Sequence, residues 1–235
     1  MSTKNTKAEV VSTQRKEEER DICVTAPNIM EGVFHIFGTE PYVQLRFSTK
    51  TQNIMMEKQK ADKTERSKKP KREPRNFDSD YLDAMYQGPK GERGIPAAAF
   101  RNALISACRL VGFKMTIAKM SVFVIADVLD VDSGVGLVTL SGRPEKRLDH
   151  VVNATGVADI RARAMWREWK ATLHLRFDAD QFKPDDVTNL LLRAGTQVGV
   201  GEGRNDSKKS CGMGCGSFGV DLENISFSPV ATTRR

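Results

Sequence analysis

A glycine-saturated stretch from Gly199 to Gly219 constrains this chain more than any other feature. Seven of its 21 residues are glycine, which rules out a regular helix or strand over that length. Glycines adopt positive φ angles and let a ligand approach the main chain closely, so the stretch is either a flexible connector or a surface that faces phosphate. The basic residues within it, Arg204, Lys208 and Lys209, favour the phosphate-facing surface.

The standard nucleotide-binding fingerprints do not fit this stretch. Its spacing differs from G-x-x-x-x-G-K-[ST], and Gly199-Val200-Gly201 only begins like a dinucleotide motif. The apolar pattern before it is helical and the pattern after it is strand-like, which is the reverse of the strand-to-helix order that both fingerprints need. The sequence therefore excludes a nucleotide-cofactor loop, and we expect no cofactor.

The charge balance favours polyanionic partners. The chain has 37 Lys and Arg against 30 Asp and Glu, with a pI near 9.3. Nucleic acid is the leading partner and an anionic membrane surface the second. No apolar run approaches the roughly 18 residues of a spanning helix and the N-terminus lacks the apolar core of a signal peptide, so we expect a cytoplasmic protein without a membrane partner. The four scattered cysteines predict reduced thiols.

Composition divides the chain into an arm, a domain and a tail. Residues 1–20 are polar and predict a mobile N-terminal arm. Residues 21–229 form a single domain with an inserted basic finger at 48–93, and 230–235 are a C-terminal tail. Between Lys58 and Arg75 the finger has nine Lys or Arg, three acidic residues and no large apolar side chain. Such a run is either a solvated loop or a flexible finger that grips a phosphate backbone.

Apolar periodicity predicts alternating strands and helices. Pro96 opens the clearest helix, which Gly112 closes, and Pro184-Asp185-Asp186 opens a second helix. The segment 158–177 is either one long strand or two strands broken by a bulge, and 143–147 is predicted as a charged turn. The remaining predicted strands are 32–38, 42–47, 121–126, 137–140 and 218–227. The order predicts an α+β, ferredoxin-like (RRM-like) βαββαβ core with a large basic insertion.

Three motifs resemble the RAMP superfamily. They are Thr25-Ala26-Pro27-Asn28-Ile29-Met30, Gly94-Ile95-Pro96-Ala97-Ala98-Ala99-Phe100-Arg101-Asn102-Ala103-Leu104, and Val198-Gly199-Val200-Gly201-Glu202-Gly203-Arg204 leading to Gly216-Ser217-Phe218-Gly219-Val220. Within this superfamily the chain is most similar to the CRISPR effector backbone-subunit type and to uncharacterised RAMP-like proteins of tailed phages. The resemblance covers about residues 22–227, with the basic finger in place of that family's thumb or finger.

The resemblance implies sequence-tolerant binding of single-stranded RNA or DNA through the sugar-phosphate backbone. In the backbone-subunit branch it also implies head-to-tail assembly of several copies along the strand. By the family pattern, the Gly-rich stretch and the helix start at Ala98–Asn102 would lie against the nucleic acid. The run Asn205–Cys215 departs from the pattern, because the family often has a shorter loop there.

The predicted nucleic-acid-binding residues fall into four groups. The finger supplies cations, the helix start and the Arg-rich strand add polar side chains, and the Gly-rich stretch adds main-chain donors and three further cations. These residues are Lys68, Lys69, Lys71 and Arg72; Arg101 and Asn102; Arg161, Arg163 and Arg167; and Gly201, Gly203, Arg204, Lys208 and Lys209. Trp166 and Trp169 would face opposite sides of a regular strand, so we expect one in the core and the other free to stack a base.

No pattern in the chain establishes catalysis or metal binding. Asp127, Asp130 and Asp132 follow a strand, as in metal-dependent phosphoryl enzymes, but they are equally typical of a charged turn. Cys211 and Cys215 lack the second ligand pair that zinc requires, so we expect no metal and no enzymatic activity. Two other functions stay open: a structural or assembly protein of a phage that uses the finger as a protein docking arm, and an RNA-processing endonuclease with His35 as general base.

Overall fold

The computed structural model describes residues 25–47, 49–60, 74–152, 156–207 and 212–230. Over these residues the chain is a mixed α+β protein with mostly antiparallel sheets, one of them large, and five α-helices. The arm at 1–20, the tail residues 231–235 and six predicted binding residues lie outside the described ranges. Those six are Lys68, Lys69, Lys71, Arg72, Lys208 and Lys209.

The elements follow in a fixed order along the chain. The first half contains β1 (Ile29–Gly38), β2 (Tyr42–Gln44), α1 (Thr49–Lys60), α2 (Phe77–Asp83), β3 (Gly94–Pro96), α3 (Ala97–Ala107), a 3-10 turn (Cys108–Val111), α4 (Met115–Ser121) and β4 (Val122–Ile125). The second half contains β5 (Val128–Leu129), β6 (Gly136–Ser141), β7 (Pro144–Val152), β8 (Ala158–Trp166), β9 (Lys170–Asp178), α5 (Pro184–Arg193), a π-type turn (Ala194–Val198), β10 (Phe218–Val220) and β11 (Ser226–Pro229).

The large sheet is centred on β1 and β9, which pair antiparallel from Ile29↔Asp178 to Phe37↔Lys170. Strands β10 and β11 pair with the outer edge of β1, and β4 and β6 pair with the other edge of β9. The short strands β3 and β5 each pair antiparallel with β6. A separate three-stranded sheet runs in the order β2-β8-β7.

One face of the large sheet is buried under helices. Alternate residues of β1 and β9, including Phe34, Ile36, Leu173 and Leu175, join one hydrophobic core with α3, α4 and α5. The other residues of the same strands are partly or fully exposed, as expected for an antiparallel sheet with one solvated face. Within the described residues no helix has the length and apolar character that crossing a membrane requires.

The two predicted helices are confirmed with their local start and stop signals. Helix α3 begins after Pro96, and its 3-10 extension ends at Gly112, where φ is 69°. In α5, Pro184 is the first helical residue, and the carboxylate of Asp186 accepts a hydrogen bond from the main-chain N–H of Lys183 at 3.1 Å. Prolines and acids at a helix start, and glycine after its end, act locally, so the sequence predicts these helices well.

Three expectations about the middle of the chain are corrected by the structure. The segment 143–147 is no turn but the first half of β7, an edge strand whose charged side chains reach solvent. The segment 158–177 is two strands, as one of the two alternatives predicts, but they lie in different sheets and the chain turns between them at 167–169 instead of forming a bulge. Trp166 and Trp169 flank this turn and are 0% and 2% exposed, so neither ring is free to stack a base.

Candidate functional site

A groove of about 570 Å³ lies between α3, β2 and the first part of the Gly-rich stretch. It is bordered by the helix, by the chain from Val198 to Asp206, by β2 and by Met115 and Lys119 of α4. The residues that line it include Tyr42, Gln44, Tyr86, Pro96, Ala99, Asn102, Ser106, Arg109, Lys119, Gly199, Gly201, Glu202, Arg204 and Asp206.

The helical wall is one face of α3 and its extension. Asn102, Ser106 and Arg109 are four and three residues apart, which places them on the same side of a helix. The helix start also reaches the groove through Pro96 and Ala99. No side chain caps this start and its first turn contains no acidic residue, so its main-chain N–H groups and positive dipole end are not neutralised locally.

The opposite wall is a folded loop held to the body by main-chain hydrogen bonds. The N–H of Glu202 donates to Val43 O at 2.9 Å, and the N–H of Gly216 donates to Pro41 O at 2.8 Å. Gly201 has a φ of 81°, and a Cβ there would lie 2.5 Å from Val43 O. Glycine is required at this position for both its backbone conformation and its close approach to β2.

This loop presents unused main-chain donors beside the groove. Within the described ranges, the N–H groups of Gly201 and Gly203 donate to no acceptor of the chain. Positive φ at Gly199, Gly201 and Gly203 alternates with negative φ at the residues between them. Alternating φ signs and free main-chain N–H groups are features of main-chain anion sites.

Charged side chains close one end of the groove. Arg109 Nη2 contacts Asp206 Oδ2 at 2.6 Å and joins the helix to the loop. The hydrogen bond from Arg109, with smaller effects from Ser106 and Arg204, holds the pKa of Asp206 below its usual range. Arg204 folds back, and its Nη1 donates to Gly201 O at 3.1 Å. With Lys119 and Glu202, the lining residues carry three cations and two carboxylates.

The structure brings three predicted binding residues together. Asn102, Gly201 and Arg204 all line the groove, and Gly203 adjoins them in the loop. Arg101 points elsewhere: its Nε donates to Val122 O at 3.0 Å, its Nη2 donates to Lys119 O, and its guanidinium lies over the ring of Phe123.

The three arginines of β8 and the turn after it do not line the groove, and each is engaged with carboxylates. Arg161 pairs with Asp159 at 3.7 Å, and Arg167 pairs with Glu145 at 2.9 Å. Arg163 is 8% exposed; its Nη1 contacts Asp149 at 2.7 Å and its Nη2 lies 3.9 Å from Glu202 in the loop. Arg163 therefore packs behind the loop rather than facing the groove.

The aspartate cluster after β4 organises a turn. The buried carboxylate of Asp130 accepts hydrogen bonds from the N–H of Gln87 and from the N–H and hydroxyl of Ser133, and contacts Arg46 at 3.1 Å. Asp132 contacts the same arginine at 2.8 Å, and Asp127 accepts from Thr139 N. In the part of the chain that the structure describes, no group of three or more His, Cys, Asp or Glu residues is placed to hold a metal ion.

The surroundings of Asp130 make stability depend on pH in the acidic range. Burial favours the neutral acid, but the hydrogen bonds from Ser133 and Gln87, with Arg46, outweigh it and lower the pKa of Asp130. Ionised Asp130 therefore stabilises the fold above its unfolded pKa of about 3.9, and this contribution is lost as pH falls through the folded value. We expect urea unfolding of Asp130→Asn to change less between pH 5 and pH 2 than that of the unchanged protein. Equal changes would contradict this assignment.

Several groove residues were missed by the sequence predictions. Arg109 was noted only as a polar position of the helix, although its spacing from Asn102 places both on one face. Lys119, Gln44 and Tyr86 come from distant segments, and no local pattern connects them with the helix or the loop. Cys211 lies outside the described ranges, and Cys215 is a buried free thiol.

No known protein family matches this sequence, and a search of curated proteins also finds no match.

Proposed function

We propose that this chain binds single-stranded nucleic acid, RNA or DNA, in the groove between α3 and the Gly-rich loop, through the sugar-phosphate backbone and without sequence preference. The observation that carries the proposal is the pair of free main-chain N–H groups at Gly201 and Gly203, in the loop that lines the same groove as the uncapped start of α3. Both are donor sets suited to phosphate oxygens.

The RAMP-like motifs support this proposal by their position. The motif Gly94–Leu104 contributes Pro96, Ala99 and Asn102 to the groove, and the motif that begins at Val198 contributes the opposite wall. Two motifs that are distant in sequence thus border one concave surface. A CRISPR backbone-like or phage-encoded protein is the context that this resemblance implies.

The order of the elements supports a ferredoxin-like, RRM-like βαββαβ core as part of the proposal. Along the chain the core would consist of β1, α3, β4, β9, α5 and β10. In the sheet, β10, β1, β9 and β4 lie side by side, and each neighbouring pair is antiparallel. The β7–β8 hairpin and the finger would then be insertions.

Assembly of several copies along the strand is the second part of the proposal, and an exposed apolar surface supports it. Leu148, His150 and Val152 are two residues apart on β7, so their side chains lie on the same face of the β7–β8 hairpin. Ile160 of β8 pairs with His150 and therefore lies on that face too. The exposed fractions of Leu148, Val152 and Ile160 are 53%, 62% and 46%. Such an exposed apolar patch is suited to protein contact.

The patch gives a test of assembly by light scattering. We expect the unchanged protein to form multi-copy species on a long single strand, and Leu148→Ser with Ile160→Ser to bind as separate copies. If defined oligomers form without any nucleic acid, the result would instead favour the alternative function, a structural or assembly protein of a phage that uses the finger as a protein docking arm.

The binding proposal is tested by titrating labelled single-stranded oligonucleotides at two salt concentrations. Binding is expected at low salt for RNA and DNA of unrelated sequence, and log K should fall with log salt by about 0.7 for each phosphate neutralised. Absence of binding to every oligonucleotide at low salt would overturn the proposed function. A separate assay for cleavage of the bound RNA, with His35→Ala as the comparison, tests the endonuclease alternative.

A further inference from the structure

The face of the large sheet opposite the helices is a second surface, on which aromatic, basic and polar side chains are regularly arranged. It is formed by the residues of β1, β9 and β4 that alternate with the core residues, and none of them lines the groove. From one end to the other it presents Phe37 with Lys170, His35 with Thr172, Val33 with His174 and Ile125, and Glu31 with Arg176 and Phe123.

At one end of this face, the ring of Phe37 lies against the backbone of the neighbouring strand. Gly219 is directly opposite Phe37 in the β1–β10 pair, and a Cβ on Gly219 would lie 2.6 Å from Phe37 Cζ. The phenyl ring therefore occupies the space that a side chain at position 219 would need. Phe37 is still 42% exposed, so part of the ring is available to a ligand.

At the other end, Phe123 is held in a similar way. The guanidinium of Arg101 lies 4.8 Å from the centre of its ring, and Arg101 is itself fixed by hydrogen bonds to Val122 O and Lys119 O. Phe123 is nevertheless 40% exposed. Each phenylalanine is thus supported by protein on one side and accessible to solvent.

A basic residue of β9 lies directly opposite each ring. Lys170 pairs with Phe37 and Arg176 pairs with Phe123 in the strand registers. The two positions are six residues apart on β9, which is about 20 Å at 3.3 Å per residue. Arg176 also contacts Glu31 at 3.1 Å, so its charge is partly balanced, whereas the side chain of Lys170 is exposed.

We propose that this face is a second contact for single-stranded nucleic acid, at which Phe37 and Phe123 stack bases and Lys170 and Arg176 contact the phosphates beside them. The repeated combination of an exposed, supported ring and a basic partner matches the chemistry of sequence-tolerant strand binding. His35 and Thr172, whose Nδ1 and Oγ1 are 3.1 Å apart, supply hydrogen-bonding groups between the two rings. The inference rests on the proposed function and adds a base-contacting surface to it.

The test uses the full chain and an oligonucleotide that contains 2-aminopurine, whose fluorescence is quenched by stacking. The double variant Phe37→Ala, Phe123→Ala is expected to bind at least about thirtyfold more weakly and to lose the change in fluorescence, because it removes two stacked bases that contribute at least about 1 kcal/mol each. Phe37→Tyr with Phe123→Tyr should restore both. Leu129→Ala, at a residue of 59% exposure on neither surface, is the matched control.

The possible results separate this inference from the proposed function. If groove variants weaken binding while the double alanine variant binds and quenches like the unchanged protein, the sheet surface is excluded and the groove stands. Failure of the tyrosine variant to restore quenching would also overturn the stacking role. If no oligonucleotide binds at low salt, both proposals fall.

Discussion

Gly201→Ala is expected to lower the free energy of unfolding by about 2–5 kcal/mol. At a φ of 81°, any other residue costs about 1–2 kcal/mol in this left-handed conformation. The new Cβ would also lie 2.5 Å from both Val43 O and Tyr42 Cε2, and overlap in a packed site costs about 1–3 kcal/mol more. Unfolding in urea, followed by circular dichroism, measures the change.

Gly214→Ala is the matched control for this substitution. Gly214 lies in the same loop with a φ of 76°, but a Cβ there has no atom within 4 Å. Its cost should therefore be the conformational part alone, about 1–2 kcal/mol. Equal losses for the two variants would contradict the close packing of the loop on β2, and with it the shape of the groove.

The second large effect is expected from the cations of the groove. Replacing Arg109, Lys119 and Arg204 together by alanine should weaken binding of a single-stranded oligonucleotide at low salt by at least about tenfold, because charge-assisted contacts to phosphate are among the stronger hydrogen bonds. Fluorescence anisotropy measures the affinity. A control variant with the same loss of charge replaces Lys114, Lys183 and Arg193, which are exposed outside the groove and the sheet surface.

The expected result for the control is a small decrease in affinity from the lower net charge. Equal weakening by the two triple variants would show that only the overall charge of +7 matters, and that the groove has no special role. Since Arg109 also joins α3 to the loop through Asp206, thermal unfolding of the groove variant accompanies the binding measurement.

The features that the sequence predicts well are those with local causes. Both helices were predicted because Pro96, Gly112 and Pro184 act on their immediate neighbours. The glycines of the loop predict residues with positive φ. Gly199, Gly201 and Gly203 adopt such angles. The convergence of Asn102 with Gly201 and Arg204 was an expectation of the RAMP resemblance, and all three line one groove.

The features that the sequence did not predict depend on tertiary partners. The sequence predicts a charged turn where β7 begins, because an edge strand that faces solvent shows no apolar alternation. The sequence predicts that Arg101 and Arg163 face a ligand, but their side chains are held by partners on other elements, Val122 O for Arg101 and Asp149 for Arg163. The sequence allows a charged turn at Asp130, but it does not show that Arg46 and Gln87, from two distant segments, bind the buried carboxylate.

The salt dependence of binding tests the central claim most directly. The measurement is a plot of log K for a single-stranded oligonucleotide against log salt. The slope is expected to be smaller in magnitude by about 2 for the groove variant, in which Arg109, Lys119 and Arg204 are alanine, than for the unchanged protein. Each of the three lost phosphate contacts accounts for about 0.7 of this difference. The control variant should keep the original slope. Identical slopes for all three proteins would contradict the assignment of the groove as the phosphate-binding site.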